Sequence, residues 1–503
     1  MMIRTFCLLF PLAALVAKGQ QPWVFTHELP GMDARVTDMV WSHAGMVLSC
    51  DFGAPPFHPP YTGSIIRLTS SGEFVDEHGL APILASTTPK VVLASSDGRV
   101  HVIGNYSQHT DSLCGFFHYG CSPDGSIQDS SFILSPNARQ SYMENAAYGD
   151  DGTIMVGGSI GYTDEETCKY TQLLKLSEAG TVLADYTFGM SGVHLQYTRD
   201  IIPYADGLLV TTEEYPGVPG RYHQFSSSLE LLAHWPGQAP HPDQLHPLDS
   251  ILKGAMTLLA LDEGSFIVGG AFKFPNEQYS SAVYLVRPDH STSKVFVPHS
   301  AYYHDHSALF ETIAAIDSNT FYFLSWENIH LWGQWLPYEP IGPDVLHVYK
   351  LDHDLNVLCD FILDGSTDST YYIPTRIKTT PEGGFAILGS KKDMTDPNAT
   401  MQAWVQTFSA SDCALGVEAL EAYSTALVYP NPGNSGFEVA VNWPRLVAGR
   451  ITLFDVRGTQ VAEAGIYGST GRLDCAPLPQ GLYLYRITDR SGHTVRSGRW
   501  VKE

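Results

Sequence analysis

Positive charge is scarce in this chain: 29 Lys and Arg stand against 53 Asp and Glu, a net charge of -24. A surface of that sign repels phosphate backbones and anionic lipid, so nucleic acid is not expected as a partner. Only the last stretch departs from this balance, with nine basic against six acidic residues from Val428 to Glu503.

Long apolar runs are missing as well. Beyond the N-terminus no segment reaches the roughly 18 apolar residues that a membrane span requires, so no transmembrane segment is expected. The one apolar stretch, "TFCLLFPLAALVA", follows a positive start, "MMIR", and ends at the small-x-small triplet Ala17-Lys18-Gly19. Residues 1–19 therefore read as a secretory signal peptide. Cys7 lies inside the apolar core rather than at its end, which argues against a lipoprotein anchor.

No C-x-x-C spacing occurs, which makes a zinc site built on cysteine pairs unlike this chain. The seven cysteines beyond Cys7 are an odd number, and Cys114 with Cys121 is the pair that a short loop would close in an oxidising compartment. No G-x-S-x-G elbow and no S-x-D-x-G-x-T-W repeat is present, so neither a serine peptidase nor a sialidase is supported. No catalytic residue, cofactor or metal is nominated. "HDH" (His304 to His306) and "HPDQLHPLD" (with His241, Asp243 and His246) have ligand-type residues, but 20 histidines make such pairs common. "LDGSTDST" (Leu363 to Thr370) lacks the carboxylate at the twelfth position of a calcium loop and reads as a turn.

What the chain does have is a repeat. "DGRVHVIG", "DGTIMVGG", "EGSFIVGG" and "EGGFAILG" share an acid-Gly turn, a short strand and a glycine seven positions after the acid. "AGMVLSCD", "DGLLVTTE" and "SNTFYFLS" are weaker copies. The turn residues sit at 45, 98, 152, 207, 264, 319 and 383. Acid-Gly between alternating runs is a hairpin signal, because glycine accepts φ > 0 there. Each unit continues into a second hairpin, and a further strand precedes each turn. Four strands about every 55 residues, seven times, predict an all-β seven-bladed β-propeller over 20–415. The near-constant spacing disfavours separate sandwiches, and the period is long for a solenoid coil. The pattern resembles the delta-60 type of extracellular propeller repeat, a resemblance that implies fold only.

From Ala426 a different composition begins. "YPNP" (Tyr429 to Pro432), "ITLFDVRGTQV" (Ile451 to Val461), "LPQGLYLYRI" (Leu478 to Ile487) and "GRWVK" (Gly498 to Lys502) follow one another in order. Together they resemble the C-terminal sorting domain of the Bacteroidota type IX secretion system, the Por secretion tail. Cys475 and Trp500 are departures from its pattern. Residues 428–503 are expected to form a small immunoglobulin-like β-sandwich, with 416–427 as linker. The resemblance implies transit through the periplasm, recognition by type IX secretion machinery, and release or attachment at the outer-membrane surface.

If the acid-Gly turns join first to second strands, the loops after the second strands share the opposite face. The longest, "SWENIHLWGQWLPYEPIGPDV" (Ser325 to Val345), places Trp326, His330, Trp332, Trp335 and Tyr338 where rings could stack on sugars or grip peptides. The same rings could instead bury one another as a satellite cluster. The expectation is a binding module for a glycan, peptide or protein. A hydrolase or lyase with an acidic site at the channel mouth is the alternative, and a passive surface-layer component the third possibility.

Overall fold

The computed structural model describes residues 22–502 apart from 81–85, 109–112, 163–169, 190–194, 237–250, 253–256, 274–278, 299–305, 328–344, 413–424, 443–448, 490–493 and shorter breaks at turns. The chain divides into two compact units, Met1–Cys413 and Ala414–Glu503.

The first unit is built from seven antiparallel sheets. The first blade runs Asp33–Ser42, Gly45–Ala54, His58–Leu68, Phe74–Gly79. The next three repeat that hairpin path from Ser86, Gln140 and Leu195. In the fifth and sixth blades the inner strand is broken in two, Ile251–Leu252 with Thr257–Ala260, and His306–Ser307 with Ile313–Ala315. The turn residues read from the sequence lie between first and second strands, and Gly98, Gly152, Gly264 and Gly383 have φ between 75° and 88°. Gly45 of the first blade has φ 134°, Asn319 of the sixth has no positive φ, and the fourth blade departs in another way. There Ala205 takes the positive φ, and Gly207 is required because a Cβ would strike the carbonyl oxygen of Phe225 on the neighbouring strand.

Each inner strand packs on the next, from Asp33–Ser42 to Ser86–Ala94, Gln140–Tyr148, Leu195–Tyr204, Thr257–Ala260, Ile313–Ala315 and Thr370–Thr379, which returns to Asp33–Ser42. That closed circuit makes the unit a seven-bladed β-propeller. Its stability lies in seven apolar seams, one between each pair of adjacent blades. The seam of the fourth and fifth blades, for example, packs Tyr222 and Trp235 on Phe266 and Tyr284. Sheets covered on both faces need apolar residues on both sides of a strand, and Ile154–Gly161 is buried at every position.

The last blade is completed by the start of the chain. Val24–His27 pairs antiparallel with Gln402–Phe408, Val24 opposite Gln406, and Trp23 exchanges hydrogen bonds with Thr407. The ring is thus fastened by backbone hydrogen bonds between segments about as far apart as the propeller sequence allows.

Cys114 and Cys121 are not the disulfide expected from their spacing. Neither is disulfide-bonded: they stand at opposite ends of one extended strand, Leu113–Cys121, and at about 3.3 Å per residue they are far beyond bridging distance. Cys359 is the disulfide-bonded cysteine among the described residues. Because Cys50, Cys114, Cys121 and Cys475 are not disulfide-bonded, its partner falls outside the described residues.

The second unit is one hydrogen-bonded path of seven strands, Thr425–Tyr429, Gly436–Asn442, Thr470–Asp474, Gln460–Tyr467, Gly449–Phe454, Gly481–Asp489 and Thr494–Lys502. Its two end strands approach each other, so the sheet folds over as a nearly closed sandwich. Phe437, Ile451, Leu453, Tyr485, Ile487 and Trp500 fill it. Trp500, an unexpected residue by family pattern, is fully buried against Phe437 and Tyr483. Lys502 turns inward, its ammonium donating to the carbonyl oxygens of Cys475, Ala476 and Leu478. The last strand is thereby pinned by a charge that carbonyl dipoles satisfy.

Candidate functional site in the central channel

In five blades the inner strand slips by one residue against its partner, between Val36 and Asp38, Pro89 and Val91, Met143 and Asn145, Thr198 and Asp200, and Pro374 and Arg376. Bulges of this kind re-aim a side chain and are common beside functional sites. The extra residues are Thr37, Lys90, Glu144, Arg199 and Thr375. These positions and their neighbours bring charge to the axis, inside a ring otherwise made of apolar strands.

Arg376 organises the site. It is 1% exposed. Its Nη1 donates to Glu311 Oε2 at 2.7 Å, its Nε to the Thr37 carbonyl at 2.9 Å and its Nη2 to the Lys90 carbonyl at 3.0 Å. A single planar guanidinium therefore joins the seventh, sixth, first and second blades, a task suited to its rigid fork of donors. Lys378 adds a second cation, 2.7 Å from Glu311 Oε2 and 3.2 Å from Asp38 Oδ1. Burial alone would push the Glu311 carboxyl up. Lys378 and Arg376 outweigh it and hold Glu311 below its ordinary value. Two acids and two bases share one desolvated volume, which is tolerable because each charge is paired and hydrogen-bonded.

Two aspartates perform the same clasp at different places in the ring. Asp38 accepts from its neighbour's amide, Met39, and from the Val92 amide of the next blade, both at 2.8 Å. Asp200 accepts from Ile201 at 2.8 Å and from the Leu258 amide of the next blade at 2.6 Å, with Asn145 of the preceding blade as a third donor. Burial pushes Asp200 up to about 7 in spite of those donors. Arg35 completes the set through a two-pronged pair with Asp51, at 3.0 and 2.5 Å. Asp51 stands where the repeat template has glycine, and the reason for that departure is this ion pair.

Phe310 lies at the centre. Its ring has Lys90 Nζ 4.1 Å from the centroid, with the guanidinium carbons of Arg35 at 5.4 Å and Arg376 at 5.7 Å. Phe310 belongs to the sixth blade and Lys90 to the second, so the contact crosses the axis. Burial lowers the Lys90 ammonium to about 8; Glu144 opposes that shift, while Arg35 and Arg376 add to it.

Chemically, the channel offers recognition by charge. Asp38, Asp51, Glu311 and Asp200 are each committed to cations or backbone amides, which leaves none of them positioned as a free acid or base. Among the described residues there is no group of three or more side chains that could hold a metal ion. Of the aromatic segment singled out in the sequence, Trp326 sits at the end of Thr320–Glu327. It is 1% exposed, opposite Leu346 and 6.3 Å from the Tyr371 ring, in the seam of the sixth and seventh blades. His330, Trp332, Trp335 and Tyr338 lie outside the described residues, as do His241, Asp243, His246 and His304. His306 pairs with Trp326 in the backbone ladder.

The channel residues escaped the sequence reading, yet a signal exists. The extra residue is eight positions before the turn residue in every blade where the bulge is seen: 37 before 45, 90 before 98, 144 before 152, 199 before 207 and 375 before 383. Glu311 holds that position before Asn319. Aligning on the turns rather than on the strands exposes a column that holds Lys90, Glu144, Arg199 and Glu311.

A second polar site lies between the second and third blades. His101 Nδ1 and His118 Nε2 are 2.9 Å apart, both rings fully buried, with Tyr148 edge-on to His101. Burial lowers both imidazoles, His118 to about 4, the neighbouring His101 ring adding to the effect there. The pair is therefore neutral, one ring donating to the other. It borders a cavity of about 330 Å³ with Arg99, Gln128 and Asp129 at its wall.

Residues 427–500 match the family described as "Secretion system C-terminal sorting domain". The chain therefore carries a type IX secretion sorting domain, which marks it for secretion or attachment at the outer-membrane surface. No curated protein matches the chain. Among solved structures, the chain is similar to a protein of unknown function from Bacteroides caccae, at 13% identity over 66% of this chain and 94% of that one, TM-score 0.36. It is also similar to a PL25 ulvan lyase, at 11% identity over 76% and 98%, TM-score 0.46. The β-propeller domain of the Trilobed protease from Pyrococcus furiosus is a third, at 9% identity over 76% and 98%, TM-score 0.40.

Proposed function

We propose that this protein is an exported binding module that holds a glycan, peptide or partner protein on the loop face of its propeller. The observation that supports binding over catalysis is the occupied state of three channel carboxylates. Asp38 and Glu311 are shared between Arg376 and Lys378, and Asp51 is bound by Arg35. A hydrolase or lyase needs a carboxyl free to give or take a proton at the reacting bond.

The aromatic segment of the sixth blade is the natural platform. It is tied at both ends to one hairpin, where Glu327 pairs with Val345. Trp332, Trp335, Tyr338 and His330 supply the stacking and polar groups, and the buried Trp326 anchors the base. Residues 1–19 are removed on export, 20–415 form the working body, and 428–503 address it to the secretion machinery through the linker 416–427.

Glycan and peptide arrays probed with the mature propeller test this reading. Trp332→Ala and Trp335→Ala are expected to weaken captured ligands at least tenfold, about 1.4 kcal/mol. Unchanged capture by both variants would remove the platform.

A further inference from the structure

The cations of the channel differ in one respect. The guanidinium of Arg35 is filled by Asp51, that of Arg376 by Glu311 and two carbonyls, and the Lys378 ammonium by Glu311 and Asp38. Lys90 has no such partner. Among the described residues its ammonium donates no hydrogen bond and has no carboxylate within 4 Å; its one direct contact is the Phe310 ring.

An ammonium carries three donors, and a ring face satisfies none of them as an oxygen would. The residue as a whole is partly exposed. Around it, Arg35 and Arg376 converge on the same ring, and Glu144 and Asp51 are the acids that face it from the third and first blades. With Arg35 paired to Asp51 and Arg376 to Glu311, the Lys90 ammonium is the cation here whose donors are unfilled among the described residues. Such a place favours a ligand oxygen that is charged and can accept several hydrogen bonds at once.

We propose that Lys90 is the anion-recognition point of the channel, receiving a carboxylate borne by the ligand, whether from an acidic sugar or an acidic peptide. This rests on the binding reading above and narrows it, since a neutral glycan or a basic peptide would leave the ammonium unfilled. Phe310 acts as a positioning residue. It holds the ammonium away from the channel acids, so that these do not capture it.

Reductive methylation of the full chain with 13C-formaldehyde labels each lysine, and Lys90→Met identifies the Lys90 signal by its loss. Tetragalacturonate and tetraglutamate serve as probes, with a neutral tetraglucan as control. Movement of the Lys90 signal with tetragalacturonate alone assigns an acidic sugar, with tetraglutamate alone an acidic peptide, and with both a carboxylate read without its carrier. Lys90→Met is expected to weaken the active probe at least tenfold by calorimetry, with Lys90→Arg retaining most of the affinity. A Lys90 signal unmoved by either acidic probe, or moved equally by the neutral control, overturns the proposal. So does probe affinity unchanged in a folded Lys90→Met variant. The two readings fail separately: array binding lost in Trp332→Ala but kept in Lys90→Met defeats the Lys90 assignment alone.

Discussion

Arg376 carries the largest single-residue consequence in the propeller. Replacing it with Met removes the bonds to Glu311 and to the Thr37 and Lys90 carbonyls, leaving the buried Asp38 and the partly buried Glu311 with Lys378 as their remaining cation. Breaking a buried pair from one side costs about 3–5 kcal/mol, so urea unfolding should shift by that order. Arg376→Lys should recover little, since an ammonium cannot reach three blades at once. In the tail, Lys502→Met should lower the stability of the sorting domain by about 1–3 kcal/mol, because three inward-facing carbonyls lose their donor. A tail that melts at the same temperature in that variant would show the carbonyls to be hydrated instead.

The buried imidazoles set an acid limit. Burial lowers His118 to about 4 and His223 to about 4, and lowers His101 as well. When the folded value is the lower one, the unfolded chain takes up protons first. Their contribution is complete above about 6.5 and is lost as pH falls toward 4. Asp200, pushed up to about 7, has the opposite sign, its contribution being lost as pH rises through 7. Three imidazoles against one carboxyl leave a net loss on acidification. Urea midpoints measured from pH 6.5 down to 4.5 should therefore fall, and His118→Gln should flatten the slope. A midpoint that holds level over that range would contradict the placement of these rings.

At the scale of elements, the hairpin turns were readable because acid-Gly chemistry is local: four residues decide the turn and the flanking alternation decides the strands. The fourth blade shows the limit of that logic, since the glycine at 207 answers to a neighbouring backbone while Ala205 carries the φ. The clasping strand was not readable. "VFTH" is four residues long, and its partner lies nearly the whole propeller away. The channel cluster was hidden for a related reason, its members being single charged residues in separate repeats that meet only when the ring closes. Deleting Val24–His27 should leave Gln402–Phe408 as a bare edge. The expected outcome is a lower melting temperature together with association detectable by light scattering. A monodisperse deletion variant with unchanged melting would mean that this pairing contributes little.

For the whole molecule, the two compact units predict separable behaviour. Proteolysis within 414–424 should yield two fragments, each with a cooperative unfolding transition of its own. Loss of structure in either fragment on cleavage would show that the units depend on one another. The identity of the tail was legible because its motifs follow one another in fixed order.

The clasp has a consequence for how the chain is made. A ribosome adds about 5–20 residues each second, so the partner of Val24 is synthesised some tens of seconds after it. Until then no complete ring can exist, whatever the state of the first six blades. For this chain the waiting time is written into the pairing of Val24–His27 with Gln402–Phe408, the last strand of the propeller.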